Sequence, residues 1–290
     1  MLKKLLTMFL LLFIIGFSFF YTNKAVLFAR KSDPIMMKIM DYKDDYKIDV
    51  INPIINNDEY VYGMNGCVID EEESYNKMKS LGSFDENLIV MKEEKVNIET
   101  ENKYIIGGNK ENKNIGLIFI VKEEIDEQLL KFIKDKNIKI DFFVDGYFLE
   151  NNLEYIEKLS KYGNVFNFGR NKKYLDKYIS YDNNLIKSIA NNESNYCLTD
   201  KKDSDILNIC NKRNMEVIKS KYLKENILTY LKYNISNGKI IVIDNINDNS
   251  LYIKVSINYI MSKGYNIISI NKLLQTSKSC DIIHQRWFYE

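Results

Sequence analysis

From residue 115 onward, hydrophobic positions along the chain follow two alternating rhythms. Short continuous apolar runs, "IGLIFIV" (115–121) and "GKIIVID" (238–244), are rich in β-branched residues, as in strands buried on both faces. Between them, apolar residues recur at helical spacing. "EEIDEQLLKFIKDKN" places Ile125, Leu129, Phe132 and Ile133 on one face, and "NNLEYIEKLSKYG" follows the same period until Gly163 stops it. The predicted order is strand 115–121, helix, strand "IKIDFFVDG", helix, and the short strand "NVFNFG". After these come "EVIKSK", the amphipathic "NILTYLKYNIS", strand 238–244, the helix "SLYIKVSINYIMSKG", the strand "YNIISI" and the short helix "NKLLQ". Repeated β/α units predict a parallel sheet or barrel with helices outside.

Before residue 105 the pattern is irregular. Short apolar runs such as "YKIDVINPII" and "NLIVMKEEKV" sit between turn signals, and "DEEESYNKMKSLG" predicts a helix with acids at its start and Gly82 after its end. Residues 25–104 are therefore expected to form a small α+β region, and 105–290 the larger domain. At the N-terminus, Lys3 and Lys4 precede an uncharged run from Leu5 to Tyr21. At about 1.5 Å per residue the run spans roughly 26 Å, near the thickness of a bilayer core once lysines snorkel. A cleavage site is poorly matched, since only Asn23 and Ala25 approximate the small-x-small pair. Residues 1–24 are thus expected to be an uncleaved, single-pass membrane anchor, with the rest of the chain outside the cytoplasm.

Composition sharpens this picture. The 290 residues are 46% hydrophobic, enough for a sizeable core. Basic and acidic residues number 41 and 40 without a basic block, which argues against nucleic acid as a partner. The four cysteines, Cys67, Cys197, Cys210 and Cys280, allow three pairings in an oxidising compartment. Cys197 with Cys210 is the pair to test first, with isolated buried thiols the competing reading.

Four segments in order, "IGLIFIV", "KDKNIKIDFFVDGYFLENNLEYIEKLSKYGN", "NGKIIVIDN" and "MSKGYNIISINKLL", resemble the polysaccharide deacetylases of the NodB-homology type. The resemblance implies an α/β fold, an irregular (β/α) barrel carrying the small N-terminal α+β extension and the transmembrane helix. It also implies a catalytic base and a divalent metal held by an aspartate and two histidines, and there the sequence departs. Ile120 and Val121 stand where the family has its aspartate pair, and "GNVFNFGRNKKYL" carries no histidine. "NYCLTDKKD" replaces the arginine and proline segment, and Asp244 stands at the late histidine. The sole histidine, His284, lies in the tail before the aromatic "RWFYE", which is expected to close the barrel floor.

What remains at the expected strand ends is polar. Lys122, Glu123, Asp145, Asn167, Arg170, Asp200, Asp244 and Asn245 would line the cleft at the carboxyl ends of the strands. Asp145 and Asp244 are the candidates for any catalysis; Asp145, Asn167, Arg170, Asp200, Asp244 and Asn245 are the candidates for substrate binding. Phe143, Tyr147, Phe168 and Tyr196 would offer flat faces for sugar rings. The competing readings are helix caps and solvated loops for the acids, and core packing for the aromatics. No cofactor is expected, unless zinc or another divalent metal serves an atypical site. The functional expectation is a catalytically degenerate envelope protein that binds cell-wall polysaccharide or scaffolds an envelope protein. The alternative is an active carbohydrate N-deacetylase, acting on peptidoglycan or a chitin-like glycan.

Overall fold

The computed structural model describes residues 2–276 and Cys280, so His284 and the closing aromatic segment lie outside the described residues. In chain order the first elements are α1 (Leu2–Lys31), α2 (Pro34–Asp41), β1 (Ile54–Asn56), β2 (Glu59–Val61), β3 (Gly66–Ile69), α3 (Glu71–Lys79), β4 (Met91–Glu94) and β5 (Tyr104–Gly107). There follow β6 (Asn114–Val121), α4 (Glu127–Asp135), β7 (Asp141–Val144), α5 (Gly146–Asn151), α6 (Leu153–Ser160), β8 (Val165–Asn167), α7 (Asp176–Ala190) and β9 (Tyr196–Thr199). The last are α8 (Ser204–Asn211), β10 (Glu216–Lys219), β11 (Tyr222–Leu223), α9 (Ile227–Asn234), β12 (Ile240–Ile243), α10 (Ser250–Ser262), β13 (Asn266–Ile268) and α11 (Ile270–Leu273).

These elements form two compact units. The smaller contains residues 2–50 and 65–95 with Cys280; the larger contains 51–64 and 96–276. The expected single break near residue 105 is therefore replaced by an interleaved division. The reason lies in pairing: β2 forms a parallel ladder with β5, which draws residues 51–64 into the larger unit.

In the smaller unit, α2, α3 and the antiparallel β3–β4 pair surround Met36, Ile39, Tyr46, Ile69, Tyr75, Met78 and Ile89. The expected α3 forms because Asp70 caps it, accepting from Glu73 N at 3.1 Å, with Glu71, Glu72 and Glu73 in its first turn. Gly82 lies beyond its end at φ +71°. Helix α1 continues into α2 through a short turn and is clamped to α3. Arg30 donates to Glu72 at 3.1 Å and Asn76 at 2.8 Å, and Tyr75 donates to the α2 cap, Asp33, at 2.9 Å. Within α1, Met8–Lys31 is long and apolar enough to cross a membrane, a test that a signal sequence also passes. A disulfide joins Cys67 to Cys280.

In the larger unit, strands form one sheet of order β11-β12-β6-β7-β8, with β13 also on β6, and a second of order β1-β2-β5-β10-β9. The first is parallel throughout. Alternate residues of β6 explain its unbroken apolar run. Leu117, Phe119 and Val121 pack toward the cluster that includes Leu129 and Ile133 of α4, Ile156 of α6, Leu231 of α9 and Ile257 of α10. Ile118 and Ile120 join Tyr60, Ile105, Phe143, Phe166 and Phe168 in a second cluster shared by the two sheets. Both faces of the sheet are thus withdrawn from water. Among the described residues the sheets are linked by the isolated bridge Gly107↔Lys239 rather than a ladder, so these strands do not form a continuously hydrogen-bonded barrel.

Three local features differ from the sequence reading. The helix expected from Asn151 forms as α6, and a further short helix, α5, precedes it, the two meeting at Asn152. The segment "YCLTD", to which the predicted order assigns no strand, contains β9, paired to β10 over Tyr196–Thr199. Its Cys197 is bonded to Cys210 of α8, the pair singled out from the sequence. Helix α7, absent from the predicted order, buries Ile179, Asp182 and Ile186 on one face, and Asp182 and Asn183 hydrogen-bond inward.

Candidate functional site

The carboxyl ends of β6, β7 and β12 open onto two cavities that share Lys122. The first, about 430 Å3, is lined by Ile120, Lys122, Glu123, Lys224, Asp244 and Asn245 among others. The second, about 580 Å3, is lined by residues including Lys122, Asp145, Tyr147, Asn171 and Lys172.

Strand alternation decides which side chains reach this cleft. Ile120 lines the first cavity, whereas Val121 turns to the opposite face and is buried in the helix-side cluster. Of the two hydrophobic replacements, only Ile120 therefore borders the cleft. Lys122, two residues beyond Ile120, donates to Asp244 Oδ1 at 2.6 Å. Asp244 directly follows β12, the strand that pairs with β6, and Lys172 Nζ lies 3.6 Å from its other oxygen. Burial pushes the Asp244 carboxyl up, but the Lys122 hydrogen bond and the Lys122 and Lys172 charges outweigh this and hold it below the usual carboxylate range.

Asp145 is spent on structure. Its Oδ1 accepts from Tyr147 N at 2.9 Å as the α5 cap, and its Oδ2 accepts from Asn171 N at 2.7 Å. Asn167 is fully buried; its Oδ1 accepts from Gly169 N and its Nδ2 donates to Asn183. Arg170 is buried as well. It donates to both oxygens of Asp182, at 3.2 and 2.7 Å, pairs with Glu150 at 3.0 Å and lies 4.1 Å from the Tyr178 ring centre. The Asp182 hydrogen bonds raise its already high pKa. Neither Asn167 nor Arg170 lines the two cavities. Asp200 is exposed beyond β9 and likewise does not line them, whereas Asn245, in the left-handed region at φ +60°, does. Phe143 and Phe168 are core residues, and Tyr196 packs edge-on to Phe166. Tyr147, half exposed, is the one proposed aromatic among the lining residues.

Sequence reasoning missed Lys172, Asn171 and Lys224. Lys172 reaches Asp244 from a loop in which Gly169, Asn171 and Lys172 all have positive φ, a path that no periodicity announces.

No family model matches the chain. The chain is similar in structure to a CE4 family pseudoenzyme from Bacillus anthracis, BA3943, with a TM-score of 0.62 and 21% identity over 85% of this chain and 97% of that one. It is also similar to the Bc1960 peptidoglycan N-acetylglucosamine deacetylase, with a TM-score of 0.53 and 16% identity over 60% of this chain and 94% of that one. In sequence, 144 residues are 26% identical to the uncharacterized protein YlxY of Bacillus subtilis (strain 168), covering 48% of this chain. The match spans 45% of that relative, less than half of its length. The fold is that of the CE4 polysaccharide deacetylases.

The donor set at the strand ends does not fit the divalent metal that the family resemblance implies. Ile120 offers no donor atom, and each Asp145 oxygen already accepts a backbone N–H that fixes it as a cap and loop tie. Asp244 is engaged by an ammonium, and both polar ends of Asn167 are used internally. Among the described residues, no three His, Cys, Asp or Glu side chains are grouped so as to hold a metal.

Proposed function

We propose that this chain is a catalytically degenerate member of the polysaccharide deacetylase family, held in the cell envelope by α1, which binds cell-wall glycan through the former catalytic cleft. The observation that carries the reading is the cluster Lys122–Asp244–Lys172: two ammonium groups flank the carboxylate that directly follows β12, in a cleft that remains open. A water-activating metal needs several donor side chains facing one point, and here Ile120 supplies no donor while the two ammoniums at Asp244 repel a cation. Two disulfides agree with an oxidising, extracytoplasmic location. The likeness to a protein described as a CE4 pseudoenzyme supports the same reading.

The test combines two measurements on the purified chain. Acetate release from N-acetylated peptidoglycan and chitin oligomers is expected to stay at the buffer rate, with or without added zinc. Titration with the same fragments is expected to show saturable binding. Acetate release that is lost in Asp244→Ala would establish the active deacetylase instead, and absence of any binding would overturn the glycan reading.

A further inference from the structure

The groups around Lys122 also restrict what the cleft accepts. Asp244 lies beneath, its side chain only 7% exposed, while Lys122 and Lys172 are 40% and 43% exposed. Lys122 spends one donor on Asp244, whereas Lys172 Nζ, at 3.6 Å, is beyond hydrogen-bond reach of that carboxylate. Two ammoniums against one carboxylate leave this inner cluster with a net charge of +1. Two further carboxylates, Asp145 and Glu123, line the cavities and keep their charges, but among the described residues the ion pairs of Lys122 and Lys172 are made with Asp244 alone. Asp145 is committed to the Tyr147 and Asn171 amides, and Glu123 accepts from Asn247 at 3.0 Å. Lys224 adds a further exposed ammonium to the first cavity.

The backbone supports the same conclusion. Lys172 occupies the left-handed region at φ 65°, which is costly for a residue with a long side chain. Strain of this kind persists where the surrounding structure imposes it, and it is concentrated at functional sites. Its effect here is to carry an ammonium over Asp244 and to within 5.6 Å of the Tyr222 ring centre.

We propose that the cleft recognises an anionic group on its glycan: a sugar carboxylate or phosphate takes the open donors of Lys172 and Lys122. This rests on the glycan-binding reading and narrows it to acidic glycans. Half-exposed ammoniums on a concave, partly desolvated wall form charge-assisted hydrogen bonds that a neutral N-acetyl sugar cannot match. Added salt screens them.

The experiment titrates the full chain in detergent micelles with three probes: neutral chitotetraose, tetragalacturonate as the carboxylate, and glucose 6-phosphate as the phosphate. At least one acidic probe is expected to bind about tenfold more tightly than chitotetraose, and raising salt from about 50 to about 300 mM should erode that advantage. The better acidic probe identifies the anion. Lys172→Met should lose about tenfold in affinity for it, with circular dichroism and Tm confirming the fold. Lys224→Met provides a second, fully surface variant and should weaken the same probe in the same direction. Equal binding of neutral and acidic probes would overturn the anion assignment while leaving the glycan reading intact. Binding of none would overturn both. An acidic preference unchanged in both lysine variants would remove the assignment from this cleft.

Discussion

At the amino end of β7, well away from the strand-end cleft, Asp141 is fully buried. Burial pushes its carboxyl up to about 7, although Ile270 N and Asn164 Nδ2 both donate to it. The folded state therefore holds a proton that the unfolded chain, titrating near 3.8, has already released. Stability from this group is full below about pH 4 and is lost as pH rises toward about 7. Asp141→Asn removes the titration, and the Asn164 amide can turn to accept from the new NH2. The expected outcome is a wild-type Tm that declines relative to Asp141→Asn between pH 5 and pH 8, with the variant more stable by roughly 2–4 kcal/mol at the upper end. Thermal melts across that range check it, and parallel pH curves would refute it. Asp244 behaves oppositely, its depressed pKa making its contribution vanish only at strongly acidic pH.

Elements are held in place by a few close contacts that their own sequences do not show. Gly163 reads as a helix stop, but its position is set by packing: a Cβ there would meet the Ile140 carbonyl oxygen at 1.6 Å, so the turn after α6 lies directly on the entry to β7. Helix α8 is tied to β9 by Cys197–Cys210, across a sequence separation of 13, over the outer cluster of Tyr104, Tyr174, Met215 and Val217. In the chain-entropy account, a crosslink closing so short a loop contributes about 3 kcal/mol. Cys197→Ala with Cys210→Ala should therefore lower the unfolding free energy by roughly 2–3 kcal/mol, read by urea denaturation with the Cys67–Cys280 bond intact. An unchanged midpoint would show that the outer cluster holds α8 unaided.

For the whole molecule, the chief prediction concerns the anchor. Cells producing the full chain should retain it in the membrane fraction at its uncleaved mass, released by detergent and not by about 1 M salt. A soluble product lacking the first residues would mark α1 as a signal sequence instead. Much of this architecture was legible in the linear pattern. The β6 run reads as a strand buried on both faces, α4 and α10 carry their core residues at helical spacing, and the loss of acids and histidines from the strand ends is visible by inspection. These are local properties, set by period and residue type. Only the folded chain decided the rest, because it depends on partners distant in sequence. It split the strands into two sheets, recruited β2 beside β5 and used Asp182 to neutralise a buried Arg170, withdrawing a candidate site residue from the cleft. It also brought Lys172 and Lys122 to the same carboxylate from separate loops, 122 residues of sequence dividing Lys122 from Asp244.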